Sequence, residues 1–199
     1  MTIDNFSVFK THMQFDSEDE FYFLQVITRP KDGHKIHGNN INRALKFYTI
    51  RSIEEFDRVE SEVKALCKEF NARAYIHYTK RLFSQVAKLM LPRVTEQYID
   101  GNFQGMKGAF QDSCGKSVAK KYKTYLVDID SKDQVLIQSI ISTINKCFPL
   151  GVDKIITMFE TSSGYHLITK PFHVEKFNEF YPQIDVHLNN PTLLYRYDE

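Results

Sequence analysis

The sequence predicts an α+β protein in two parts, on three observations. Short runs rich in β-branched and aromatic residues recur along the chain, the clearest being residues 125–130, Tyr-Leu-Val-Asp-Ile-Asp. Other segments repeat apolar residues every three or four positions, the spacing of a helix with one buried face. The two kinds are interleaved in a chain of 199 residues, 42% hydrophobic and 26% charged, which is enough for a sizeable core.

Residues 1–20 are polar and broken by the acids of Asp-Ser-Glu-Asp-Glu at 16–20, and they read as an arm or short leading element. Residues 21–29 are the first strand, stopped by Pro30 and the turn Lys31-Asp32-Gly33. His34 and His37 follow. Their imidazoles are metal-ligand types, but no third ligand of suitable spacing stands near, so a solvated loop is the expectation. Residues 44–51 are a second strand. Ser52 and Glu55 then form a capping-box start, and Phe56, Val59, Val63, Leu66, Cys67 and Phe70 mark a helical stripe. A strand over 72–78 completes a β-α-β unit, expected as a parallel pair with a right-handed crossover. Residues 82–97 read as a helix that Pro92 kinks or ends, and the glycine-dotted 98–115 as short helix or loop. Lys116, Lys120, Lys121 and Lys123 form the densest basic run.

After the strand at 125–130 come a helix over 134–148, a hairpin of 154–160 and 165–169, a short helix over 173–180, and strands over 184–188 and 192–197. The order β-α-β-β-α-β, with the final strand extending the hairpin, is ferredoxin-like or RNA-recognition-motif-like (RRM-like). The expected organisation is an N-terminal αβ lobe over 1–123 and an RRM-like core over 124–199.

Composition bounds the function. A net charge of +1 argues against wholesale electrostatic nucleic-acid binding while leaving room for a local basic groove. Cys67, Cys114 and Cys147 are widely spaced, without a Cys-x-x-Cys pair; Cys67 and Cys147 fall within expected helices and read as buried thiols, and the expected compartment is reducing, so cytoplasmic. The first residues lack the pattern of a signal peptide, and no apolar run approaches the roughly 20 residues of a membrane span.

Asp128 and Asp130 stand two apart on one strand, so their side chains project to the same face. Carboxylates that close repel, and a divalent cation with a taste for hard oxygen ligands, magnesium or manganese, is the common remedy. Downstream, Thr161-Ser162-Ser163-Gly164-Tyr165-His166-Leu167 is a small-residue turn delivering a histidine at the start of a strand, and Ile184-Asp185 places an acid on a later one. Arg73, at a strand start, suits a phosphate or a structural salt bridge.

In combination and order these motifs resemble the archaeo-eukaryotic primase (primase-polymerase) superfamily, marked by an Asp-x-Asp strand, a Ser-x-His motif and a hydrophobic-Asp motif on an RRM-like core. One departure is Gly164, which stands where the motif carries Ser. The resemblance implies a metal-dependent nucleotidyltransferase that adds nucleotides from NTP or dNTP to a primer, or initiates a primer on DNA. Asp128, Asp130 and Asp185 would be its catalytic acids and the ligands of two Mg2+ or Mn2+ ions. His166, with Ser162 or Ser163, would contact the triphosphate, and Lys170 is a further phosphate candidate. The implied partners are nucleotides, single-stranded or primer-template DNA, and a helicase or other replication protein, as in a small phage or mobile-element enzyme without a membrane. Two alternatives keep the fold but differ in activity. A non-catalytic module would bind single strands through Phe47, Tyr48, Tyr75, Tyr78 and Tyr195, and a phosphodiesterase would use the carboxylates for metal-dependent hydrolysis.

Overall fold

The structure, a computed structural model, describes residues 2–33, 43–106, 108–117 and 123–198. His34, His37, Lys120 and Lys121 lie outside the described residues. The chain runs β1 (Ile3–Asp4), α1 (Phe6–Lys10), β2 (Glu20–Thr28), a 3-10 turn (Pro30–Asp32), β3 (Arg43–Ile50), α2 (Ile53–Glu69), β4 (Arg73–Ile76), β5 (Arg81–Leu82), α3 (Phe83–Ile99), α4 (Phe103–Met106) and α5 (Ala109–Lys116). It continues through β6 (Tyr125–Ile129), α6 (Gln134–Lys146), β7 (Ile155–Glu160), β8 (Tyr165–Thr169), α7 (Val174–Asn178), β9 (Asp185–Leu188) and β10 (Thr192–Arg196). The protein is a mixed α+β structure whose strand pairs are antiparallel. They make one sheet in the order β1-β10-β4-β2-β3, with β5 beside β2, and a second in the order β7-β8-β6-β9. Among the described residues no helix is long and apolar enough to cross a membrane.

Local chemistry starts the helices where the sequence places them. The Ser52 hydroxyl accepts the Glu55 amide at 3.2 Å, and the Glu55 carboxylate reaches back to the Arg51 amide at 2.8 Å. Asp133 caps α6 by accepting the Val135 amide at 2.9 Å. Strand alternation then sorts the side chains into layers. Leu24, Val26, Ala74 and Ile76 face one core together with Phe6 and Phe9 of α1, Phe56 and Val63 of α2, and Leu126, Phe159 and Ile168 of the second sheet. Phe21 and Phe23, on the reverse face of β2, pack with Val86 and Cys114. Val127, Ile129 and Leu167, on the other face of the second sheet, pack with Ile137, Ile140, Ile144 and Phe177 of α6 and α7.

Two expectations change and two open alternatives are decided. β3 and β4 run parallel but are not neighbours, because β2 lies between them and pairs with both. Of the two readings of the first twenty residues, the short leading element holds and the arm does not: Phe6 and Phe9 are buried, and β1 pairs with β10. α3 continues through Pro92, on a side exposed to water. Finally, β10 does not extend the β7-β8 hairpin; it enters the first sheet between β1 and β4.

That last crossing is built around the turn at Asn189, whose φ of 64° is a left-handed conformation that Asn tolerates better than most residues. Arg81, completely buried, holds it. Its guanidinium donates to Asn189 Oδ1 at 2.8 Å, to Thr79 O at 2.6 Å, to Cys114 O at 2.7 Å and to His77 Nδ1 at 2.7 Å. Burial pulls Arg81 down to about 10, so it stays charged at neutral pH, whereas burial and the Arg81 charge push His77 down to about 3. A second tie is Asn5, whose side-chain amide donates to Leu193 O and to Glu160 O, both at 2.9 Å, while its oxygen accepts the Glu160 amide at 3.2 Å. Replacing Arg81 by Met leaves buried acceptors dry. Arg81→Met is therefore expected to lower the unfolding free energy by about 3 kcal/mol, read as a lower urea midpoint at unchanged m value.

Candidate active site

A cleft of about 710 Å³ opens between the two sheets. Asp128, Asp130, Ser162, Ser163 and His166 line it from the second sheet and its loops, and Arg29, Arg73, Tyr75 and Arg196 line it from the first. Alternation explains both walls. On β4, Ala74 and Ile76 face the core, so Arg73 and Tyr75 face the other way. On β6, Val127 and Ile129 face α6, leaving Asp128 on the opposite side.

The register assembles the acids and the histidine. Asp128 is directly opposite His166 on β8 and directly opposite Asp185 on β9, so the three form one row across the sheet. Asp185 is exposed at the β9 end of that row and does not line the cleft. Lys170 is not brought to the site. Four residues along a strand from His166 is about 13 Å away, and its ammonium donates to Asp153 O at 3.1 Å. Arg73 meets the structural alternative: it grips the Asp32 carboxylate with Nε, at 2.7 Å, and with Nη2, while still bordering the cleft.

His166 is held in one tautomer. The Leu193 amide donates to its Nδ1 at 3.3 Å, and Thr192 Oγ1 lies 3.0 Å from the same atom. With Nδ1 an acceptor, the proton sits on Nε2, which points at Asp128 Oδ1 at 3.6 Å. Burial pulls the imidazole down to about 4, with Asp130 opposing and His187 reinforcing the shift. At neutral pH His166 is thus an uncharged N–H donor, and its contact with Asp128 is not an ion pair.

The turn before His166 is closed by Thr161, whose amide donates to Gly164 O at 2.9 Å and whose hydroxyl accepts the Gly164 amide at 3.0 Å. Ser163 donates to the Asp130 carboxylate, and Ser162 accepts from Arg196 at 2.8 Å. Gly164 is dictated by space: a β-carbon there would lie 1.9 Å from Ile129 O and 2.5 Å from Ser131 N. The motif's Ser cannot stand at this position without moving the loop that carries Asp130.

Asp128 and Asp130 fit a hard cation of the magnesium type, which takes one or two carboxylates and completes its shell with water and phosphate oxygens. Among the described residues, no group of three or more His, Cys, Asp and Glu is arranged to hold a metal alone. Arg29, Arg196 and His187 were not foreseen. His187 was readable, standing two residues from Asp185 on the same strand face, whereas Arg196 depended on where β10 pairs. No protein-family model, curated protein or solved structure matches this chain.

Two predictions follow from this geometry. Gly164→Ala should cost on the order of 2 kcal/mol or more and displace the amide resonances of Ser131 and Ser163. Because His166 and His77 titrate at about 4 and about 3 when folded and near 6.5 when unfolded, the unfolded chain binds more protons in between. Stability should fall as pH falls from about 6.5 toward 4, and His166→Gln should flatten that slope by up to ~1.4 kcal/mol per pH unit in unfolding titrations.

Proposed function

We propose that this chain is a metal-dependent nucleotidyltransferase of primase-polymerase type, with an RRM-like core formed by the second sheet and its two helices. The observation that carries the reading is the cleft itself: Asp128, Asp130 and a neutral His166 on one wall, Arg29, Arg73 and Arg196 on the other. A nucleoside triphosphate with its cation presents the complementary pattern, positive toward acids and negative toward guanidinium groups. The order β7-β8-β6-β9, with α6 and α7 packed on one face, supports the RRM-like assignment.

In this reading Asp128 and Asp130 hold Mg2+ or Mn2+, and Asp185 borders them from β9. The bound cation supplies charge neutralisation on the phosphates and a lowered pKa for an attacking 3′-hydroxyl. Arg29, anchored to the Tyr75 hydroxyl at 3.0 Å, and Arg196, anchored to Ser162, present fixed N–H donors to phosphate oxygens. His166 offers Nε2–H without adding charge. DNA and nucleotides are the partners of this reading, and a replication protein such as a helicase would act alongside.

A second reading is metal-independent binding of single strands in the same cleft. It draws on the partners the acids already have, Asp130 taking the Ser163 hydroxyl and Asp128 facing His166, with Tyr75 available to stack on a base. A primer-extension assay with labelled nucleotides and manganese separates the two. The enzyme should extend primers, and Asp128→Asn/Asp130→Asn should reduce extension by at least 10³-fold while remaining folded. Shortened primers would point to hydrolysis, and single-strand binding without extension to the module.

A further inference from the structure

The face of β6 that carries Asp128 also carries Leu126 and, just before the strand, Thr124. Leu126 is buried against the first sheet, while the two ends of this face open into different spaces. The Asp128 end is the acidic cleft. The Thr124 end borders a separate cavity of about 300 Å³, lined by His12, Tyr22, Tyr78, Lys80, Lys123 and Lys170 among others. It lies at the end of β8 to which Lys170, displaced from the acidic cleft, belongs.

The groups around this cavity divide into committed and available. Lys80 is committed: it is buried and bridges Glu20 at 2.7 Å and Asp16 at 3.0 Å. Thr79 and Thr124 hydrogen-bond each other at 2.8 Å. Lys123 and Lys170 have no carboxylate within ion-pair distance among the described residues. Lys123 lies over the Tyr125 ring at 5.5 Å, and Lys170 donates to a single backbone carbonyl. His12 stands against the Tyr78 ring, with centroids 5.9 Å apart, and adds a ring N–H. Two exposed ammonium groups beside an imidazole, over tyrosine side chains, in a cavity at the small end of ligand-site size, form a receptor for an anion with a flat apolar part.

We infer that this second cavity binds a phosphate-bearing ligand, its phosphate on Lys123 and Lys170 and its flat portion toward His12 and Tyr78. The inference goes beyond the nucleotidyltransferase reading and does not rest on it, since the cavity shares no lining residue with the acidic cleft. The phosphate comes either from a free nucleotide or from the backbone of a single-stranded nucleic acid.

The test is amide NMR titration of the full chain with AMP and, separately, with a short oligothymidylate. Binding should perturb His12, Thr79 and Thr124. Lys123→Ala/Lys170→Ala should weaken that binding at least tenfold, and Asp128→Asn should leave it unchanged. Lys88→Ala/Lys146→Ala removes the same charge from exposed positions outside both cavities and should retain wild-type affinity. Perturbation by AMP identifies the free nucleotide, and perturbation by the oligomer alone identifies the backbone. If neither probe perturbs these residues, or if both double variants weaken binding equally, the inference is overturned.

Discussion

A fully buried guanidinium with carbonyl, amide and imidazole partners but, among the described residues, no carboxylate partner is an unusual thing to place in a protein interior, because desolvating the charge is expensive. Arg81 occupies the point where the chain leaves the second sheet and enters the first. Its donors fix the β4-β5 turn, the end of α5 and the Asn189 turn simultaneously. From that point β10 takes up its register beside β4, and from that register come Arg196 in the cleft wall and the Thr192–Leu193 clamp on His166. The acidic cleft exists because two sheets are held at one crossing.

Within the cleft, four of the polar groups already have a protein partner that limits their freedom. Ser163 holds Asp130, Tyr75 holds Arg29, Ser162 holds Arg196 and Asp32 holds Arg73. Such groups lose little side-chain entropy when a ligand arrives, which is the physical content of pre-organisation. His166 contributes by remaining neutral: a charged imidazole there would compete with any cation for Asp128.

What was legible in the sequence was local. The strands β2 to β4 and β6 to β9 and the helices α2, α3, α6 and α7 follow from side-chain type and period, and the Ser52 cap marks a helix start within a residue, whereas the two-residue β5 is too short to give a signal. Asp128 and His166 were singled out from motif order, and the register places them face to face. What escaped depended on distant partners. Phe6 and Phe9 sit in a five-residue helix too short to give a periodic signal. The apolar run of β10 suits either sheet equally, so its destination, and with it Arg196, could not be read. Lys170 stands just past the end of β8 and borders a different cavity from His166, because four positions along a strand separate residues that the same spacing would bring together on a helix.

The position of β10 also bears on the order in which the protein takes shape. Among the described residues β1 meets the first sheet only through β10, although their partners Ile3 and Arg196 stand near opposite ends of the sequence. As the chain leaves the ribosome, the second sheet has all its strands before β10 appears. Phe6 and Phe9 meet Tyr22 and Phe56, which emerge early, but the strand edge of β1 waits for β10. Closure of the first sheet is therefore a late, long-range event of the kind that slows folding and leaves nascent chains open to aggregation. The cleft is completed by that same event, so any chemistry it performs begins only when folding has ended.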